Sequence, residues 1–334
     1  MSDWMRRNDI APIALVAFLS QGLAQAQPLQ PDDINNAAIV AAASEQSIVP
    51  AEASDRDPDA AIARLQVLLD RAGASPGVID GYGGENVTKA IAAFEAMQHL
   101  PVDGKLDPGV IDRLSDQRPA IEPYVISQDD AEGLVSSIPK DYAEQAKMDR
   151  LGYTSIAEKL AERFHMDVDL LAALNPGTKY AVGETVFVAL PGGSIDATVK
   201  RIEAHKQTRQ LLAFDDKGTL IAAYPATIGS EDNPSPSGTQ KVKGVARMPP
   251  YTYNPKINFR QGTNKKIMTL PGGPNNPVGT VWIDLTKPTY GIHGTPEPSL
   301  IDKSASHGCV RLTNWDAEEL AGMVKPGVIV EFVD

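Results

Sequence analysis

Cysteine is nearly absent from this chain: Cys309 is the one thiol among 334 residues, which excludes an internal disulfide and a cysteine-stapled scaffold. Basic residues are outnumbered, 31 against 43 acidic ones, and the net charge is −12. A surface of that sign argues against nucleic acid or another polyanion as the main partner. Long apolar runs are missing as well, and the stretch from Ile13 to Leu19 is too short to span a bilayer. At 334 residues the chain exceeds one ordinary core, so two or three domains are expected.

Residues 1–26 read as an export signal, with Arg6 and Arg7 as the basic start, Ile13 to Leu19 as the apolar core and Ala24-Gln25-Ala26 as a small-x-small cleavage site. No cysteine follows the core, which excludes a lipid-anchored form, and no membrane span is expected once the signal is removed. Residues 27–57, rich in Ala, Pro, Asp, Asn and Gln, read as a flexible linker.

The chemistry-bearing residues are concentrated near the C-terminus. Tyr290 to Leu312 holds Cys309 and two of the five histidines, His293 and His307. An isolated cysteine is often an inert apolar residue. In Ser306-His307-Gly308-Cys309-Val310-Arg311, however, the sulfur follows a flexible glycine and precedes an arginine whose charge is expected to favour the thiolate. His293 can meet Cys309 only if strand and loop fold back on each other, as nucleophile and base pairs do. Composition alone leaves the inert and catalytic readings both open. A structural zinc usually takes four protein ligands, and Cys309, His293 and His307 are one short, so no metal is expected.

Upstream, Ile62, Leu65, Leu68 and Leu69 mark one helix and Val87, Ile91, Phe94 and Met97 a second, with a short third after Asp107. Residues 117–149 read as a polar, proline-punctuated connector. From Tyr153 to Leu190 the pattern is strand tip, helix, helix, strand, ending in Thr185 to Leu190. Beyond Ala197, alternation predicts strands over 197–202, 210–214, 219–224, 281–285 and 328–333, with long loops and a lid over 230–278. Thr313, with Asp316 three residues on, opens a helix.

His293-Gly294-Thr295 followed by Ser306-His307-Gly308-Cys309-Val310-Arg311-Leu312 resembles the signature of the YkuD-type L,D-transpeptidase catalytic domain, and Pro234 to Thr239 is similar to that family's Thr-Pro-x-Gly turn. Residues 58–116 resemble a peptidoglycan-binding domain, with a plain packing bundle as the alternative. Residues 150–192 resemble a LysM module, with core packing of its helices as the alternative. The fold class implied is multidomain α+β: a small helical module, a βααβ LysM-like module, and over 195–334 a mainly β catalytic domain, a mixed-sheet sandwich.

The resemblance implies Cys309 as nucleophile and His293 as base, its other ring nitrogen held by the Gly294 carbonyl. It implies an oxyanion hole around His307, Gly308 and Cys309 with Tyr290, and Arg311 with Ser306 on the substrate side. The implied reaction needs no cofactor. It joins peptidoglycan tetrapeptide stems into 3-3 crosslinks or attaches an amine-bearing, wall-anchored protein, in the periplasm or cell envelope. Glycan strands are the partners implied for the upstream modules. Hydrolysis of the same thioester, and a wall-binding protein with a silent site, remain open alternatives.

Overall fold

The computed structural model describes residues 29–39, 57–229, 234–257, 259–303 and 308–334. The export segment over 1–26, much of the 27–57 linker, and Ser306 and His307 lie outside the described residues. Among the described residues, no helix is long and apolar enough to cross a membrane.

Part of the expected linker is built into the fold. Helix α1 (Pro31–Asn35) buries Ile34 completely, and the Asn35 side chain bonds the Ile121 carbonyl at 2.9 Å and the Ala120 and Ile121 N–H groups at 2.8 Å. A five-residue helix is too short to leave a periodic trace in sequence.

The helical module follows as α2 (Ala60–Arg71), α3 (Glu85–Met97) and α4 (Pro108–Leu114). Asp59 caps α2 by accepting from Ala61 and Ile62 N–H, and Asp107 caps α4, whose first position is Pro108. Leu65, Leu68 and Leu69 meet Val87, Ile91, Phe94 and Val110 in one apolar cluster, which Ala223 of the C-terminal domain completes.

The βααβ unit differs from its expected outline. Its first strand is β1 (Ile121–Val125), inside the segment read as a connector, and not a tip at Tyr153. Helices α5 (Tyr142–Gln145), α6 (Ile156–Arg163) and α7 (Val168–Leu174) lead to β2 (Thr185–Ala189), which pairs antiparallel with β1. Pro123 disguised the strand. Proline is tolerated here because both strands of a two-stranded sheet are edges. Residues 126–155 are thus an insertion between β1 and α6.

The C-terminal domain contains β3 (Arg201–His205), β4 (Gln210–Phe214), β5 (Leu220–Pro225), β6 (Thr227–Ile228), β7 (Gly238–Arg247), β8 (Tyr251–Tyr253), β9 (Met268–Leu270), β10 (Val281–Leu285), β11 (Gly291–His293), β12 (Val310–Arg311), α8 (Asn314–Met323) and β13 (Ile329–Val333). Nine strands form one mixed sheet in the order β5-β4-β3-β13-β7-β10-β11-β12-β6. Its edge strands β5 and β6 are separated by Ala226 alone, so the sheet must curl until its edges nearly meet. The enclosed core includes Ile202, Leu211, Tyr224, Ile283, Ile292, Val310, Leu320 and Val330. The long loops expected over 230–278 give way in part to β7, ten residues long and central in the sheet. Among its residues only Val242 is fully buried, so it lacks apolar alternation and is held by backbone ladders to β13 and β10.

The modules meet closely. Ser75 N–H donates to the Ala223 carbonyl and Ala223 N–H to the Gly73 carbonyl, each at 2.9 Å, which covers the outer edge of β5. Ile79 exchanges backbone bonds with His165 and Asp167 of the βααβ unit. At the junction His165 Nδ1 lies 2.9 Å from Asp70 and its ring stacks on Trp315, next to Asp316 and Glu319.

Burial pushes the Asp316 carboxyl up to about 8. Between its ordinary value of 3.8 and about 8 the folded chain holds a proton the unfolded chain has released, so this group's contribution is lost as pH rises through that window. Asp316→Asn is therefore expected to flatten the decline of unfolding free energy from about pH 4 to about pH 8, measured by denaturant titration. Parallel curves for the two proteins would contradict this.

Candidate active site

Strands β11 and β12 run parallel with Ile292 opposite Val310 and His293 opposite Arg311. Paired residues of neighbouring strands point to the same face and successive ones alternate. Ile292 and Val310 turn into the core, so His293 and Arg311 share the opposite face. Cys309 lies just before β12, where its sulfur meets the Gly291 N–H of β11. The Arg311 charge acts on both the Cys309 thiol and the His293 ring.

His293 is buried, stacks on Trp282 at 5.5 Å between ring centres, and has Nδ1 2.7 Å from the Gly294 carbonyl. A carbonyl oxygen only accepts, so the proton is on Nδ1, and in the neutral ring Nε2 carries the lone pair. Burial, reinforced by Arg311, pushes the ring down to about 3. It is neutral at physiological pH.

The Cys309 thiol is half-buried, 3.7 Å from the Thr289 carbonyl, and accepts from the Gly291 N–H. The sequence reading placed a thiolate here. Burial instead pushes the thiol up, against the Gly291 N–H and Arg311, which lower it. The guanidinium is present as expected, but desolvation outweighs it. Burial also lowers Arg311, against the charge of Glu297 on the preceding loop.

Gly308 has φ +102°, and an added Cβ would sit 2.8 Å from the Tyr290 ring, so both conformation and space select glycine. The Gly308 carbonyl accepts from Ser235 Oγ at 2.8 Å. In a trans peptide the C=O and N–H point opposite ways, so this bond sets the direction of the Cys309 N–H. Tyr290 therefore packs over Gly308, with Lys287 Nζ 4.6 Å from its ring centre. Ser306 and His307 lie outside the described residues.

Sequence reasoning missed the aromatic wall. Tyr142 of α5 meets Tyr251 and Tyr253 edge-on at 6.2 and 5.4 Å and lies within the field of Arg311. Burial pushes it up to about 12. It comes from the 126–155 insertion, whose polar, proline-broken text gave no signal of a site. Asn314 was missed too, since an asparagine at a helix start reads as ordinary.

The sequence family described as the YkuD L,D-transpeptidase catalytic domain matches residues 199–331, and one described as "Putative peptidoglycan binding domain" matches 58–114. "Putative L,D-transpeptidase YkuD" of Bacillus licheniformis is 28% identical over 176 residues, covering 52% of this chain and 90% of that protein. "Putative L,D-transpeptidase YqjB" of Bacillus subtilis is 30% identical over 135 residues, covering 39% of this chain and 69% of that protein. Among solved structures, L,D-transpeptidase 1 of Mycobacterium tuberculosis is 16% identical, with 46% of this chain and 68% of that one covered at a TM-score of 0.30. The chain belongs to the YkuD-type L,D-transpeptidase family, with a peptidoglycan-binding domain upstream of its catalytic domain.

The depressed His293 value has a consequence for stability. Its contribution is complete above the ordinary 6.5 and is lost as pH falls towards about 3, because there the unfolded chain binds a proton that the folded ring refuses. His293→Gln is expected to lose less unfolding free energy than wild type over that window. Equal losses would show that the ring is already charged in the fold.

Proposed function

We propose that this chain is a cysteine acyltransferase acting on peptidoglycan stem peptides in the cell envelope. The observation that carries the reading is the face shared by His293 and Arg311, set by the β11–β12 register, with the Cys309 thiol next to β12 in the field of Arg311. Such an arrangement supplies a nucleophile, a base and an anion-binding group to one substrate.

In this reading a tetrapeptide stem enters with a carboxylate on Arg311, whose planar fork matches two oxygens. His293 Nε2 takes the thiol proton as sulfur attacks the carbonyl of the third residue, a diamino acid, at its L-centre. The backbone N–H of Cys309 and its neighbours stabilise the oxyanion, assisted by Tyr290. The C–N bond to the terminal D-alanine breaks, and His293 returns the proton to the departing amine. The thioester is then attacked by the side-chain amine of a neighbouring stem, which gives a 3-3 crosslink, or by the amine of a wall-anchored protein. One amide replaces another, so no energy source is required.

In this reading thiol and imidazole are both neutral at rest, and the proton leaves sulfur as the C–S bond forms, with bound substrate covering the half-buried thiol. This fits a site that must leave the thioester to an amine instead of to water. The peptidoglycan-binding domain and the βααβ unit would hold the glycan strand and so raise the local concentration of stems.

Incubation of the full chain with a purified disaccharide tetrapeptide, followed by mass spectrometry, tests this. Released D-alanine together with a crosslinked dimer is expected from wild type, and neither from Cys309→Ala. Tripeptide without dimer, even with an amine acceptor present, would make the chain a hydrolase. Arg311→Lys is expected to raise KM by about tenfold through loss of the bidentate contact.

A further inference from the structure

One side chain grips the backbone next to the base. Asn314 Oδ1 accepts the N–H groups of Thr280 and Thr295, each at 3.1 Å. The Thr295 N–H belongs to the same peptide unit as the Gly294 carbonyl, which holds His293 Nδ1. That peptide plane is thus bound on both sides, by Asn314 on its N–H and by the imidazole on its C=O. The approach is so close that a Cβ on Gly294 or Gly279 would fall inside contact distance of Asn314 Oδ1.

The other end of Asn314 leaves the domain. Its Nδ2 donates to Glu162 at 2.9 Å to Oε2 and 3.1 Å to Oε1, and lies 3.3 Å from the Pro274 carbonyl. Glu162 sits on α6 of the upstream βααβ unit, and its Oε2 also accepts from Tyr153 Oη at 3.2 Å. Both polar atoms of the Asn314 amide are therefore occupied, and the partner on the outward side is supplied from 152 residues away in sequence.

We infer that Glu162 is a positioning residue for the base: through Asn314 it fixes the Gly294–Thr295 peptide whose carbonyl orients His293. The inference rests on the assignment of His293 as base made above. It gives the upstream unit a part in catalytic competence besides any part in holding the wall. Removing the carboxyl leaves a buried amide donor without its strongest partner. The Asn314 amide and the peptide it grips then lose their fixed orientation, and the imidazole loses the carbonyl that sets its tautomer and aim.

The test uses the full chain carrying Glu162→Met, which keeps volume and removes the acceptor, and Glu162→Gln, whose amide can accept from Asn314 and donate to Tyr153. Steady-state turnover of the tetrapeptide, the rate of Cys309 alkylation by iodoacetamide and the thermal midpoint are measured for each. Glu162→Met is expected to lower kcat about tenfold to a hundredfold with KM nearly unchanged, and to slow alkylation alongside, as misplacement of a catalytic group does. Glu162→Gln is expected to recover most of both rates. Wild-type kcat and alkylation in Glu162→Met would overturn the inference. So would a loss that Gln fails to recover and that follows the thermal midpoint, since that marks a packing role. If wild type turns over no stem while alkylation still separates Met from Gln, the proposed reaction fails and the positioning role stands.

Discussion

The arrangement depends on one peptide plane, Gly294–Thr295, held in a single orientation. Its carbonyl takes the Nδ1 proton of His293 and its N–H is bound by Asn314. Two glycines make room for this: a Cβ on Gly279 or Gly294 would collide with the Asn314 amide. The β10 and β11 strands bring Trp282 flat against the imidazole, so the ring is fixed by a hydrogen bond along its plane and by a surface across it. A ring held in this way keeps one nitrogen for the protein and leaves the other for chemistry.

The same enclosure sets the electrostatics. Burial shifts His293, Cys309 and Arg311 each towards its neutral form. Burial thus favours the thiol form of Cys309 over the thiolate and the imidazole form of His293 over the imidazolium. The upstream parts contribute to that enclosure. Tyr142 from the 126–155 insertion packs on the β8–β9 hairpin beside Arg311, and Lys89 of α3 reaches Asp302 on the loop before Cys309 at 2.6 Å, where Arg209 also binds. The catalytic domain is thus completed by residues from two other regions of the chain.

Much of the fold was legible wherever one face is buried. Strands β4, β10 and β13 alternate, and α2 and α3 carry continuous apolar stripes, because each turns one side to a core. Strand β7 did not announce itself, since its stability lies in backbone ladders on both sides and its side chains are mostly exposed. Strand β1 was hidden by Pro123. Cys309, His293 and Arg311 were singled out by residue type and motif, and the shared face of His293 and Arg311 follows from a register that sequence does not encode locally. The sign of the thiol shift was misread because burial is a property of the assembled fold, while the neighbouring arginine is visible in the text. Asn314 and Glu162 were invisible for a related reason: each is an ordinary residue for a helix until the other is brought to it.

The orientation of the imidazole is open to direct observation. In the full chain labelled with 15N at histidine, with His293 assigned by its absence in His293→Gln, the ring nitrogens report charge and tautomer as pH is varied from about 5 to about 8. The account predicts a neutral ring throughout, protonated at Nδ1 and bare at Nε2. A proton on Nε2, or conversion to the imidazolium near the ordinary value of 6.5, would contradict it.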